Sequence, residues 1–200
     1  MRNSKFKTTR IVLRSYPAED EVDEFAGLHG WPRRAEVEAR REGGSPYTVS
    51  WDLGDESVLD YVEDGMSKNC YLIVHGPTRE SVEPVGEMIS EELFPWDHTE
   101  LLWCVDNAPN PIELGLSIIR LALGSPDGFH DETFRRVKSG LTHPDSQVRD
   151  MSLWASTYSP WAEYIPLLQN LAAQDPVTEI RERAGLVLEA YRVRGGGDGS

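Results

Sequence analysis

The first half of the chain alternates apolar and polar residues at the spacing of half-buried β-strands. The segment 47–53 (YTVSWDL) follows this alternation without a fault. The segment 70–75 is apolar at almost every position, which is typical of a strand that is buried on both faces. Two further short segments complete the set. The predicted strands are residues 9–15, 47–53, 70–75 and 101–105.

Two helices are predicted between these strands, at residues 18–28 and 78–93, because apolar residues recur there every three or four positions. A proline inside a helix costs about 3 kcal/mol, so Pro84 requires the second helix to begin at about Ser81 or later. The resulting β-α-β-β-α-β order predicts a ferredoxin-like sheet domain. Two polar inserts interrupt this domain, at residues 31–44 and 54–69.

After residue 107 the apolar period changes from two to about 3.6 residues, which predicts helices. Three of the helix starts place a capping side chain directly before a proline, at residues 110–111, 159–160 and 175–176. The predicted helices are residues 111–123, 131–141, 146–157, 161–173 and 177–191. We therefore expect an α+β protein. Its predicted parts are a sheet domain at residues 1–107, a helical domain at 108–193 and a disordered glycine-rich tail at 194–200.

The helical half repeats one pattern twice. A leucine ends a helix, an aspartate follows four residues later, and an aliphatic-Arg-acid triplet opens the next helix. The two copies are Leu141, Asp145 and Val148-Arg149-Asp150, and Leu171, Asp175 and Ile180-Arg181-Glu182. This pattern resembles armadillo/HEAT-type α-helical repeats over about residues 111–192. The resemblance implies stacked helix pairs with an extended surface for protein contact. We expect each aspartate to cap the incoming helix and to pair with the arginine across the turn, as part of the scaffold.

Composition narrows the classes of partner. The chain has 200 residues, 34 acidic and 20 basic side chains and a formal net charge of −14. A surface this acidic is unsuited to the phosphates of a nucleic acid, although the first 14 residues are basic. No apolar run approaches the 18 or so residues of a membrane span, so we expect no membrane partner. Two widely separated cysteines favour a reducing cytoplasm over a disulfide framework.

Most of the excess of negative over positive charge falls in residues 51–100, which carry 13 acids against Lys68 and Arg79. A concentrated acidic patch can attract a basic partner, although charge runs of this kind are often only solvated surface. Two tryptophans beside prolines in loops are candidate anchors, since tryptophan is frequent among interface hot spots. The predicted partner-binding residues are Asp52, Asp55, Glu56, Asp60, Glu63, Asp64, Trp31 and Trp96.

The acidic insert also suggests an alternative. If residues 56–64 formed a helix, Glu56, Asp60 and Glu63 or Asp64 would share one face and could hold a divalent cation, as in a metal-assisted enzyme. However, the five histidines are scattered, no hydrolase or nucleotide-binding motif occurs, and the two cysteines lie in predicted strands as buried thiols.

The sequence therefore favours a non-catalytic protein-binding module without a cofactor and with a basic protein partner. A small acidic protein of this kind would suit inhibition of a basic, nucleic-acid-cleaving toxin, as bacterial immunity proteins do.

Overall fold

A computed structural model describes residues 6–37, 46–126 and 128–195, without the side chains of residues 35–37 and 194–195. The chain divides into two units, residues 1–97 and 98–200. This division lies before the predicted boundary at residue 107. The difference arises because residues 101–105, predicted as the last strand of the sheet domain, belong to a helix of the second unit.

The first unit contains one antiparallel sheet. Its strands are β1 (Phe6–Lys7), β2 (Ile11–Val12), β3 (Arg33–Val37), β4 (Tyr47–Gly54), β5 (Ser57–Asp64) and β6 (Asn69–Gly76). The order across the sheet is β1-β6-β5-β4-β3, and β2 also pairs with β6. Strands β3 to β6 are therefore neighbours in the order in which they follow one another along the chain. The helices of this unit are α1 (Glu19–Leu28) and α2 (Glu83–Glu92).

The predicted α+β class is confirmed, but the ferredoxin-like strand order is wrong. Residues 57–64, which the sequence pattern places in an acidic insert, form β5 between β4 and β6. The insert at 31–44 contains β3, while its residues 38–44 lie outside the described part of the chain. Helix α2 has Pro84 in its first turn, where a proline is tolerated, so its expected late start is confirmed.

One face of the sheet packs against both helices of the first unit. Odd-numbered residues of β4 and β5 and even-numbered residues of β6 point to this face, as strand alternation requires. The sheet contributes Val49, Trp51, Leu59, Tyr61, Cys70, Leu72 and Val74 to this core. From α1 come Val22, Phe25 and Ala26, and α2 supplies Ile89. Both helices thus lie on the same side of the sheet.

The second unit is helical throughout its described regular structure. Its elements are α3 (His98–Asp106), α4 (Pro111–Leu123), α5 (Asp131–Leu141), α6 (Ser146–Ala155), a 3-10 turn (Ala162–Tyr164), α7 (Ile165–Gln174) and α8 (Thr178–Gly195). Consecutive helices pack as the pairs α3–α4, α5–α6 and α7–α8. In addition, α4 contacts α6, α6 contacts α8, α3 contacts α5, and α5 contacts α7. The three pairs therefore stack in two layers.

Two sequence predictions in this unit need correction. Residues 101–105 form part of α3, because Leu101, Leu102 and Val105 are buried at helical spacing, a pattern that a short apolar run shares with a buried strand. The predicted helix start at 159–160 is replaced by the 3-10 turn, and α7 begins at Ile165. The first residues of the predicted tail continue α8, and residues 196–200 lie outside the described chain.

The aspartates of the repeated pattern cap helices as expected. Asp145 accepts the N–H of Gln147 at 2.8 Å, and Asp175 accepts the N–H of Val177 at 2.9 Å. The arginine pairing differs, because Arg149 binds Asp175 of the following helix pair through Nε at 2.7 Å and Nη2 at 3.0 Å. This bidentate ion pair links α6 to the turn before α8.

The contact around Gly140 of α5 leaves no room for a side chain. A Cβ atom there would overlap Ser152 Oγ of α6 and lie 2.7 Å from Ile118 Cδ1 of α4. We expect Gly140→Ala to lower the free energy of unfolding by about 1–3 kcal/mol, because overpacking forces neighbouring side chains to move. Adding Ser152→Ala should recover part of this loss in urea unfolding experiments. If Gly140→Ala were as stable as the wild type, the space between α5 and α6 at this position would be wide enough for a methyl group.

Candidate functional site

The acidic residues predicted to form one patch lie at separate places on the sheet. Asp55 and Glu56 occupy the exposed turn between β4 and β5, with φ angles of 48° and 60°. Asp52 accepts the N–H of Gly54 at 2.9 Å and so shapes the same turn. Asp64 lies at the opposite end of β5, where it accepts the N–H of Met66 at 3.0 Å. A strand of this length separates its ends by about 20 Å, so these carboxylates do not form one surface.

Asp60 is in the interior, with only 7% of its surface exposed. The Ser50 hydroxyl donates to Asp60 Oδ1 at 2.6 Å, and His75 Nε2 lies 3.3 Å from Asp60 Oδ2. The carboxylate stands between the serine and the histidine, so the histidine is not placed to take the serine proton as a catalytic base would. We interpret the three side chains as a polar connection between β4, β5 and β6. Asp60 is therefore removed from the partner-binding set.

Glu63 points to the face opposite Asp60, because side chains alternate along β5. Glu63 accepts the Tyr61 hydroxyl at 2.8 Å, and the same hydroxyl accepts the N–H of Ala18 at 3.0 Å. Burial raises the pKa of Tyr61 well above its ordinary value. Because residues 57–64 form strand β5 and not a helix, the predicted helical stack of Glu56, Asp60 and Glu63 or Asp64 is wrong. Within the described residues, no cluster of three or more His, Cys, Asp or Glu side chains is arranged to hold a metal ion.

The two loop tryptophans are half-buried and already packed. The Trp31 ring stacks on His29 with centroids 4.9 Å apart, and the backbone N–H of Trp31 donates to the carbonyl of Ala26. The Arg14 guanidinium lies 4.4 Å from the centroid of Trp96, whose backbone N–H donates to Val12 of β2 at 2.9 Å. Both residues therefore stabilise the first unit. Their contact with a partner stays a prediction.

The cysteines differ in environment. Cys70 is buried in β6 as predicted, and its thiol donates to the carbonyl of Ser15 at 3.0 Å. Burial raises the pKa of Cys70 to about 11, so the thiol is protonated at neutral pH and unsuited to nucleophilic attack. Cys104 is half-buried in α3 rather than in a strand.

The acidic surface that the sequence analysis missed lies on α1 and α2. Five of the ten residues of α1 and four of the ten residues of α2 are acidic, and neither helix contains lysine or arginine. We call these two helices the acidic helical layer, since both pack on the same sheet face. Four of its carboxylates have partners, namely Glu19 with Arg33, Asp23 with Trp51, Glu83 with Arg79, and Glu92 with His29. The remaining five are exposed, namely Asp20, Glu21, Glu24, Glu87 and Glu91.

The second unit has an apolar cleft between α6 and α8. The cleft has a volume of about 260 Å³ and is lined by side chains that include Trp154, Leu186 and Tyr191. Leu186 is 65% exposed, and Trp154 donates its indole N–H to Tyr158 Oη at 2.8 Å. An aromatic and aliphatic cleft of this size can take one apolar side chain of another protein.

Comparisons of the chain with protein-family models, with curated proteins and with solved structures find no significant match. None of the helices in the described ranges has the length and apolar content needed to cross a bilayer.

Proposed function

We propose that this chain is a non-catalytic protein-binding module that captures a basic protein through the acidic helical layer. The observation that carries this proposal is the absence of any lysine or arginine from two helices that together hold nine carboxylates on one side of the sheet. Neighbouring carboxylates make the local electrostatic potential more negative, and a basic partner would relieve their mutual repulsion. Such a surface increases the rate of encounter and selects the sign of the partner's charge.

The second unit serves in this proposal as a short HEAT-like array. The stacked helix pairs support this interpretation, as do the two aspartate caps and the ion pair of Arg149 with Asp175. The apolar cleft between α6 and α8 gives this unit a place for an anchoring side chain. We infer that the acidic helical layer brings the partner close and that apolar contacts of this kind hold it.

A nucleic-acid-cleaving toxin is the partner class that fits this surface best. Such enzymes present basic surfaces to the phosphate backbone, and a protein rich in carboxylates can occupy the same surface. The chain would then act as an immunity-type inhibitor. Its proposed location is the cytoplasm, which is supported by two cysteines that are both free thiols.

We expect neutralisation of the acidic helical layer to slow partner capture. In the five-residue variant, Asp20 becomes Asn, and Glu21, Glu24, Glu87 and Glu91 become Gln. The association rate with purified basic nucleases should fall roughly tenfold at low salt, because electrostatic steering is lost. Stopped-flow fluorescence at several salt concentrations would measure the rate and its salt dependence, which should become shallower.

The matched control removes the same number of charges from the second unit. It changes five exposed glutamates to glutamine, namely Glu113, Glu163, Glu179, Glu182 and Glu189. This control should leave most of the association rate and most of the salt dependence in place. An equal loss in both variants would mean that only the net charge matters, and the acidic helical layer would then have no special role.

A further inference from the structure

An open groove of about 620 Å³ runs between the outer edge of the sheet and α2. Ile11 and Val82 form an apolar part of its lining. The strand side is formed by β1, including Lys7, and the segment that follows it. The helix side carries Glu87 and Glu91 and, at its beginning, the ion pair of Arg79 with Glu83. The groove therefore combines an edge strand, an apolar floor and an acidic wall within the first unit.

The strand side of the groove presents backbone groups. The N–H of Thr8 donates to the carbonyl of Val74, so residue 8 is a hydrogen-bonded position opposite β6. In an antiparallel pair the backbone N–H and C=O groups of adjacent residues point to opposite sides of the strand. The N–H and C=O of Lys7 therefore point away from β6. The neighbouring edge at β2 is covered, because the carbonyl of Val12 accepts the N–H of Trp96. The accessible part of this edge is at β1.

The helix side presents carboxylates one turn apart. Among the described residues, the ion pairs of α2 are Arg79 with Glu83 and His29 with Glu92, which leaves Glu87 and Glu91 without a cationic partner. The two carboxylates repel each other at this i, i+4 spacing. Helix α2 lies close to the residue that follows β1, because Gly86 has no side chain. A Cβ at Gly86 would lie 3.1 Å from Thr8 Cγ2.

We propose that this groove binds an extended segment of the partner that carries lysine or arginine at alternate positions. The segment would add a strand beside β1 and place its basic side chains against Glu87 and Glu91. Alternate residues of a strand lie about 6.8 Å apart, and residues four apart in a helix are about 6 Å apart along the axis. Successive cations on a strand that runs along α2 therefore match successive carboxylates.

The backbone hydrogen bonds and the carboxylates contribute differently to recognition. Backbone hydrogen bonds to β1 provide affinity without regard to sequence, as in other cases of strand addition. The carboxylates select basic side chains, whose aliphatic stems can lie over Ile11 and Val82. This inference rests on the proposed function, because it takes the segment to be part of the same basic partner.

The test uses the full chain and three fluorescent octapeptides. The first alternates lysine and threonine (KTKTKTKT), the second has the same composition in two blocks (KKKKTTTT), and the third is the alternating peptide with N-methylated threonine amides. Fluorescence anisotropy measures their affinities. We expect the alternating peptide to bind at least tenfold more tightly than either of the others. The double variant Glu87→Gln with Glu91→Gln should weaken its binding at least tenfold.

Two further variants locate the binding. Glu182→Gln with Glu189→Gln removes two exposed charges from α8 and should change the affinity for the alternating peptide less than twofold. Glu21→Gln with Glu24→Gln removes two from α1 and should weaken peptide binding much less than the α2 pair does. Circular dichroism melting would confirm that each variant is folded, which we expect because all these side chains are exposed.

The results separate this inference from the proposed function. If the alternating and block peptides bind equally, or if neither binds, the groove proposal is wrong, while steering by the acidic helical layer is judged by the nuclease experiment alone. If the alternating peptide binds only after residues 2–5 are deleted, the chain's own amino terminus is the occupant, and the proposal of a partner segment fails.

Discussion

Replacing Arg149 by alanine should lower the free energy of unfolding by about 3–5 kcal/mol, because it leaves a buried carboxylate without its counter-charge. The side chains of Arg149 and Asp175 are only 10% and 1% exposed. Arg149 also donates through Nη1 to the carbonyls of His143 and Pro144, both at 2.9 Å. The substitution thus removes the ion pair and the partners of two backbone carbonyls.

The matched control is Arg183→Ala on α8. Arg183 pairs with Asp150 of α6, so it also links two helix pairs, but the two side chains are 47% and 34% exposed. Exposed ion pairs contribute at most about 1 kcal/mol, since water already solvates both charges. Urea unfolding at pH 7 compares the two variants. Similar losses in both would show that burial does not set the strength of the Arg149 pair.

The same ion pair should make stability depend on acid. The guanidinium of Arg149 lowers the pKa of Asp175 below its ordinary value. The stability that this carboxylate contributes is therefore fully present above its unfolded-state pKa of about 3.9 and is lost as pH falls through the lower pKa of the folded state. Unfolding free energies measured between pH 5 and 2 should decline less steeply in Arg149→Ala than in the wild type.

The helical unit could be predicted in detail because its signals are local. The bounds of α4 follow from a capping residue, a proline in the first turn and an apolar period of 3.6, and those of α5 follow from the same period. The two aspartate caps were predicted for the same reason. The partner of Arg149 was not, because Asp175 lies 26 residues away in the sequence, and only the stacking of helix pairs brings them together.

The sheet was predicted less well because the sequence of β5 lacks the apolar pattern of a buried strand. Asp60 interrupts the apolar pattern, and its burial is made possible by Ser50 and His75 from two other strands. The residues next to Asp60 in the sequence do not reveal these partners, so the segment reads as an acidic insert.

The acidic helical layer was missed for a different reason. The acids of α1 are offset over a longer stretch of the chain by the arginines that follow this helix in sequence. Taken helix by helix, the predicted segment 18–28 has no basic residue, and the predicted segment 78–93 has only Arg79, which lies before the observed start of α2.

Two tryptophans that the sequence treats alike should differ sharply in their contribution to stability. Trp51 and Trp103 both fall at inward positions of predicted strands. In the structure Trp51 is 1% exposed in the core of the first unit, and its indole N–H donates to Asp23 at 3.0 Å. Trp103 lies on α3 and is 64% exposed.

We expect Trp51→Ala to lower the free energy of unfolding by about 3–5 kcal/mol, because it opens a large cavity next to α1. Trp103→Ala should change this free energy by no more than about 0.5 kcal/mol. Trp51→Phe is a useful intermediate, since it keeps an aromatic ring but removes the hydrogen bond to Asp23. Urea unfolding followed by circular dichroism measures all three. A large loss for Trp103→Ala would mean that this side chain is covered in solution, most simply by a second copy of the chain, and a dependence of its stability on protein concentration would then follow.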